Sequence, residues 1–385
     1  MNKPFKIILT ILALAAFSFV CFFLFVLFGF AGQDFYMGLT AIAYLLLVVL
    51  IPVSIFRLFS RRTRWILGGI LLGGIVLAPI ARESVRAYHN SFERVTETKV
   101  DLDAYAPFAE TTRAAELDSA SVLKLRDSLP RLDGATALYP VYAAFARAVY
   151  PEKSYSVHNS EVACHTTARA YDALIEGEAD IIFVLQPSGE QLGMAAQQGV
   201  EMVFTPIGRE AFVFFVNAEN PVSGLSVKQL RDIYSGRTTH WKELGGRNSK
   251  IRAFQREEGS GSQTAFLQFM EGSDIMIPPR NDVIHGMGGI INRTASYANY
   301  PNAIGYTFRF YAESMVGNDG IRILSVDGVY PTRETIRSGE YPRASEFYTV
   351  TRAGETNPNV ALLVEWILSE QGQNLVEKTG YNPVR

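Results

Sequence analysis

The densest chemistry in this chain of 385 residues lies in one stretch, Phe254-Gln-Arg256-Glu-Glu-Gly259-Ser260-Gly261-Ser262-Gln-Thr264-Ala-Phe266. An apolar strand ends at Phe254, a Gly/Ser loop follows, and helical spacing resumes at about Ser262. The first N–H groups of a helix lack intrahelical partners and sit at the positive end of its dipole, so such a start attracts anions. Glycines let the backbone approach a ligand and hydroxyls donate further bonds. Arg256 offers a planar fork suited to a tetrahedral oxyanion. Taken alone, the segment also reads as an ordinary capped helix after a turn. Its spacing excludes two catalytic motifs. No Gly-Lys-Ser/Thr follows, as a P-loop requires, and Ser260 has glycines directly beside it, unlike a nucleophile elbow.

Two other segments repeat the pattern: Leu132-Asp133-Gly-Ala-Thr136-Ala137-Leu-Tyr-Pro140 and Cys164-His165-Thr166-Thr167-Ala-Arg. Three hydroxyl-bearing helix starts on one frame fit a single oxyanion held by several helix N-termini. Catalytic and metal chemistry finds less support. The five histidines (89, 158, 165, 240 and 285) show no His-x-x-x-His spacing, so neither a metal nor a cofactor is expected. Cys164 beside His165 invites a nucleophile–base reading, but neighbours in a chain rarely face one another, and a buried apolar cysteine is the expectation. The other cysteine, Cys21, lies in an apolar run, so no intrachain disulfide is expected. Glu257-Glu258 reads as a solvated turn before it reads as an acid–base pair.

The elements that position these segments alternate. Helical spacing covers Tyr139–Val149, Thr167–Glu176, 193–198, 226–235, 262–270, 360–369 and 372–379. Strand-like runs cover 181–185, 201–205, 211–217 and 251–254. Such alternation predicts an α/β fold with largely parallel sheets. Before it, residues 83–128 read as a tether with a helix over Thr112–Asp127.

Composition divides the chain at Arg82. Residues 1–82 hold seven basic side chains against one acid, Asp34, for +6; the remaining 303 residues hold 29 basic and 37 acidic groups, for −8. Three uncharged runs, 7–30, 38–56 and 65–81, are long enough to span a bilayer as helices. Lys3, Lys6 and the loop Arg57-Leu-Phe-Ser-Arg-Arg-Thr-Arg64 place the N-terminus and the second loop in the cytoplasm, and everything after the third span outside it. Gly68, Gly69, Gly73 and Gly74 in that span permit close helix packing or mere loose spacing. The domain's acidic balance carries no nucleic-acid footprint.

Further pieces follow in order: Gly208-Arg-Glu-Ala-Phe-Val-Phe-Phe-Val216, Leu230-Arg-Asp-Ile-Tyr-Ser-Gly-Arg237 with Trp241-Lys-Glu-Leu-Gly-Gly246, Ile304-Gly-Tyr306 and Gly380-Tyr-Asn-Pro383. With Asp133–Pro140 and Arg256 ahead of Ser260-Gly-Ser-Gln-Thr264 they resemble the phosphate-binding receptor of phosphate ABC transporters, which is similar to the wider periplasmic binding-protein superfamily. The resemblance covers about residues 129–385 and implies two α/β lobes around a ligand cleft. Lobe one would be 129–208 and 322–385, and lobe two 209–321. It implies that Thr136 and the backbone of Ala137 donate from the first turn. Thr167 donates from the second, beside Thr166, and Arg256, Ser260, the Gly261 backbone and Ser262 donate from the opposite lobe. One position departs from the pattern: Leu185 stands where the family carries an Asp that accepts the proton on phosphate. An unpaired buried donor costs about 1–3 kcal/mol. Either Gln186, Ser188, Glu257 or a water takes over, or the ligand differs, or affinity is low.

The resulting expectation is a multi-pass membrane protein with an extracytoplasmic domain that binds phosphate or a related oxyanion. It would deliver the anion to an ABC transporter permease without enzymatic chemistry. A membrane-tethered sensor signalling through partner proteins, and a hydrolase using Ser260, are the alternatives.

Overall fold

The computed structural model describes residues 2–31, 33–91, 94–96, 100–279, 283–284, 296–298, 300–316 and 319–384; His285 lies outside them. The chain divides into two units, Met1–Phe92 and Glu93–Arg385.

Three helices make the first unit: α1 (Lys3–Phe30), α2 (Asp34–Ile55) and α3 (Arg61–Asn90). Each is long and apolar enough to cross a membrane. Several of their polar side chains bond within the unit, as an apolar surrounding favours. The Thr10 and Thr40 hydroxyls donate to carbonyls four residues back at 2.8 Å, and Ser18 donates to the Tyr44 hydroxyl at 3.1 Å. Ser60 caps α3 by accepting from the Thr63 N–H at 3.2 Å. Arg82 lies over the rings of Phe35 and Tyr36 at 4.4 and 5.1 Å, and Tyr36 donates to Glu83 at 2.9 Å. The helix therefore runs nine residues past the expected end of the third span. A Cβ at Gly68, Gly69, Gly73 or Gly74 would meet nothing within 4 Å, so within this unit these glycines bring no helices together.

In the second unit, β1 (Arg94–Thr96) pairs antiparallel with a distant strand introduced below. Residues 100–128 then run along the first lobe without forming the helix expected over 112–127. Their hydrogen bonds go to tertiary partners instead. The Val122 N–H donates to Gln371 at 2.9 Å, Gln371 returns a bond to the Ala120 carbonyl at 3.0 Å, and Leu125 donates to Val149 at 2.9 Å. Glu116 meets Arg147 at 2.8 Å and Asp118 meets Lys378 at 2.5 Å. Tyr105 and Leu125 are buried, so this segment is packed rather than free.

The lobes share a seven-stranded sheet. β2 (Leu132–Gly134) leads into α4 (Tyr139–Val149). α5 (Thr167–Glu176), β3 (Ile181–Val184) and α6 (Gly189–Gln197) follow, and then comes the long β4 (Met202–Asn217). β5 (Gly224–Leu225), α7 (Val227–Tyr234), β6 (Arg252–Ala253), β7 (Gln255–Arg256), α8 (Gly261–Phe269), β8 (Val283–Ile284), β9 (Ser296–Ala298) and β10 (Ala303–Phe308) build the second lobe. β11 (Ile321–Ile323), β12 (Ser325–Val326), α9 (Arg333–Ser338), β13 (Ala344–Arg352), α10 (Pro358–Leu368) and α11 (Glu370–Thr379) complete the chain. The sheet order is β2-β3-β13-β4-β10-β6, with β11 also on β4; β9 is the partner of β1.

The expected strands 201–205 and 211–217 are one strand that spans both lobes. β4 pairs antiparallel with β13 up to Ala211 and with β10 from Phe212 onward. The proline and glycine between the two expected runs are absorbed by a register shift. Pro206 stands opposite Tyr348 and Gly208 opposite Phe347, and a Cβ at Gly208 would lie 2.3 Å from the Phe347 ring. Pairing is parallel at β2–β3 and β10–β6 but antiparallel along β4, so the sheet is mixed rather than largely parallel. β11 lies on the far half of β4, β12 pairs with β5, and Asp327 accepts from the Val227 N–H at 3.0 Å. The return to lobe one therefore comes after Asp327, not at 322.

Burial explains the layers. In lobe one Ala170, Tyr171 and Leu174 of α5 pack on Ile182, Val184 and Val350. In lobe two Phe214, Tyr234, Phe266, Phe269 and Tyr306 form an aromatic core, with Phe266 stacked on Tyr306 at 4.5 Å.

Candidate functional site

Thr136, Ala137, Thr167, Arg256, Ser260, Gly261 and Ser262 line one cleft of about 270 Å³, together with Ala135, Thr166, Ala168, Leu185, Glu257, Glu258, Thr307, Phe308 and Tyr311. That volume falls below the roughly 300–1,000 Å³ of sites for drug-sized ligands, so the cleft suits a small molecule or ion.

Three walls are helix starts, two of them fed by strand ends and the third by an irregular stretch. From β2, Ala135 is anchored by its N–H to the Phe183 carbonyl at 2.9 Å, and the chain turns through Thr136–Leu138 into α4. Thr166 caps α5, its hydroxyl accepting from the Arg169 N–H at 3.3 Å, which sets Thr167 at the first helical position. Ser260 caps α8, accepting from the Gln263 N–H at 3.2 Å and donating to the Glu257 carbonyl at 3.2 Å. A carbonyl cannot take up the hydroxyl proton, so this arrangement does not activate Ser260 as a nucleophile. The walls approach closely: a Cβ at Gly261 would lie 3.0 Å from the Thr167 hydroxyl and 3.5 Å from Leu185.

The loop before α8 is fastened by groups that carried no assigned role in the sequence. The Arg256 N–H donates to Gln263 Oε1 and to the Tyr306 hydroxyl, both at 3.0 Å, and the Tyr306 hydroxyl also donates to Gln263. The backbone N–H of residue 256 thus fixes the loop, and Arg256 lines the cleft. Behind the other two walls, Asp133 joins two helix starts. Its Oδ1 accepts from the Gly134 N–H at 2.7 Å and the His165 N–H at 3.0 Å, while Oδ2 lies 2.7 Å from His165 Nδ1. Asp133 is buried. Asp133→Ala would leave these donors without their acceptor and should cost roughly 2–4 kcal/mol of stability. Urea unfolding of the full chain measures it, and a loss under about 0.5 kcal/mol would deny the pair a structural role.

The same geometry separates Cys164 from His165. The thiol points to the Gly134 carbonyl at 3.8 Å, and burial pushes it up to about 12, so it is not a thiolate near neutrality. Among the described residues no group of three or more His, Cys, Asp or Glu is placed to hold a metal ion.

Seven hydroxyl-bearing residues, one arginine and two glutamates line the cleft. Leu185 lines it, buried. Of the side chains expected to stand in for an acceptor there, Gln186 turns away to donate to Tyr348 at 2.8 Å and Ser188 caps α6. Only Glu257 of that group lines the cleft, half-buried, with Glu258 exposed beside it. Thr307, Phe308 and Tyr311 were not singled out from the sequence. β10 is buried along its whole length, so no alternation marks which side chains point into the site.

A family model described as a PBP superfamily domain matches residues 115–371. The phosphate-binding protein PstS of Borreliella burgdorferi is 27% identical over 183 residues, which cover 46% of this chain and 64% of that relative. The phosphate-binding protein PstS of Bacillus subtilis is 25% identical over 281 residues, covering 72% of this chain and 87% of the relative. A structure from Clostridium perfringens, described as a phosphate ABC transporter substrate-binding protein with bound phosphate, matches with a TM-score of 0.51 and 25% identity. It covers 66% of this chain and 98% of that one.

Proposed function

The chain belongs to the PBP superfamily, and from that premise we propose that it captures phosphate or a closely similar oxyanion and passes it to an ABC importer. The observation that carries this reading is the convergence of three hydroxyl-bearing helix starts and Arg256 on one small cleft. Preorganised N–H and O–H donors with a guanidinium satisfy all sides of a tetrahedral anion without covalent chemistry. The strand β4 passes between the lobes, and hinge closure about such a crossing would seal the anion from water.

The first unit serves as the anchor. Three apolar helices, with lysines before the first and arginines between the second and third, support an orientation with the binding domain outside the cytoplasm. Lipid and a transporter permease are then its partners.

Glu257 takes the role that Leu185 cannot, accepting the proton that phosphate carries near neutral pH. Calorimetry on the full chain in detergent, with phosphate and sulfate between pH 6 and 8, tests the reading. Phosphate is expected to bind in the micromolar range, about −8 kcal/mol. Failure of every oxyanion to bind below millimolar would overturn it.

A further inference from the structure

The crossing between the lobes holds a buried charge cluster that ligand contact does not use. Glu210 sits on β4 two residues before the strand passes to β10, and only 3% of it is exposed. Its Oε1 accepts from the Ala211 N–H at 2.7 Å, and its Oε2 accepts from the Phe310 N–H at 3.3 Å. Arg309 Nε lies 3.9 Å from Oε1, inside ion-pair range but beyond a hydrogen bond. The rest of that guanidinium is committed elsewhere: Nη1 donates to Glu313 at 2.7 Å and Nη2 to the Gly380 carbonyl at 2.9 Å.

The charged and titratable groups facing Glu210 are Arg309 at the exit of β10, Glu313 in the helical turn after it, and Tyr381 in the C-terminal segment, with Tyr105 behind Tyr381. From β13 the residue opposite is the uncharged Ser345. Tyr330 faces Arg309 and Glu313 from the return crossing. Two carboxylates thus share one guanidinium, and the cluster is net −1 when both are ionised. Burial pushes the Glu210 carboxyl up to about 7, against the opposing pull of Arg309 and the two N–H donors.

This cluster adjoins the cleft on two walls. Thr307 and Phe308 line the cleft and run directly into Arg309; Tyr311 lines it two residues later. On the other wall Gly380 is held by Arg309, and the next residue, Tyr381, donates its hydroxyl to the carbonyl of Ala137. We propose that Glu210 is a proton-linked positioning residue for the cleft: losing its proton weakens the hold on an anion, and anion binding draws the proton back. The proposal rests on the oxyanion reading of the cleft. Ionised Glu210 adds a negative charge behind an anion site and competes with Glu313 and Gly380 for Arg309, which disturbs the wall that Ala137 and Phe308 form. The proton is present below about pH 7 and absent above it, so affinity falls as pH rises through that value.

The test compares dissociation constants for inorganic phosphate in the full chain and in Glu210→Gln, in detergent, from pH 5.5 to 8.5. The ionisation of phosphate itself is common to both and cancels in the ratio. Binding by the unaltered chain relative to the variant should weaken by about five- to tenfold across the range, an ordinary site-to-site coupling, with its midpoint near 7. A flat ratio overturns the proposal. Glu313→Gln, at a partly exposed side chain, gives a second route should Glu210→Gln fail to fold. Relieved of its neighbour, Glu210 ionises at lower pH, and the step in phosphate affinity moves down; a step that stays in place also overturns the proposal. Unfolding without phosphate separates the two readings. The unaltered chain should lose stability relative to Glu210→Gln as pH rises from about 4.5 to 7. If that slope appears while phosphate binds neither protein, Glu210 titrates but the cleft reading fails, and the coupling falls with it.

Discussion

An Arg256→Ala chain is expected to bind phosphate more than a hundredfold more weakly while folding as before. Truncating one partner of a desolvated charge pair typically costs about 2–5 kcal/mol, and about 2.7 kcal/mol already corresponds to a hundredfold. The surroundings push toward the upper end, because Glu257 and Glu258 would remain in the cleft without the charge of Arg256. Folding is protected by where the loop is fastened. The bonds to Gln263 and Tyr306 come from the backbone N–H of residue 256, which alanine keeps. Arg256→Lys keeps the charge but loses the fork, so an intermediate loss of about tenfold is expected. Calorimetry gives the affinities and thermal unfolding gives the control. Binding by Arg256→Ala within threefold of the unaltered chain would remove Arg256 from the site.

The parts of this site written in local spacing were legible, and those made by tertiary pairing were not. Thr136, Thr167 and Ser260 each stand at the first turn of a periodic helix, and local rules locate such starts. Asp133 and His165 were both visible, but their bond joins positions 32 apart, and nothing in either neighbourhood selects the other. Gln263 and Tyr306 are hidden for the same reason. β4 misled because Pro206 and Gly208 are ordinary signs of a turn; a shifted register opposite Tyr348 and Phe347 accommodates both. Residues 112–127 have helical composition, yet Gln371, Lys378 and Arg147 supply partners that a helix would have had to replace. Glu210 lies between the expected strands 201–205 and 211–217, where no spacing marks it out. Its burial against Arg309 depends on where β10 ends alongside β4, at Phe308 opposite Phe212.

The second large effect concerns which anion the cleft accepts. Glu257→Gln should reduce the preference for phosphate over sulfate by about ten- to a hundredfold, corresponding to the 1–3 kcal/mol of a buried donor left without its acceptor. Sulfate at neutral pH carries two charges and no proton, so the Glu257 carboxylate only repels it. Phosphate keeps a proton on at least one oxygen and can give it to that carboxylate. The amide removes the repulsion and replaces a strong acceptor with a weaker one, so the two anions converge. Glu258 is exposed beside it, and its amide variant should change the ratio little. The position of Leu185 supplies the decisive control, since its side chain lines the cleft next to Gly261. Leu185→Asp in the Glu257→Gln background puts a carboxylate back on the opposite wall and should restore much of the preference for phosphate. Competition between the two anions at fixed pH measures each ratio. If Glu257→Gln leaves the ratio unchanged while Leu185→Asp raises it, the cleft of the unaltered chain has no carboxylate reading the proton, and its hydroxyls bind either anion by shape and charge alone.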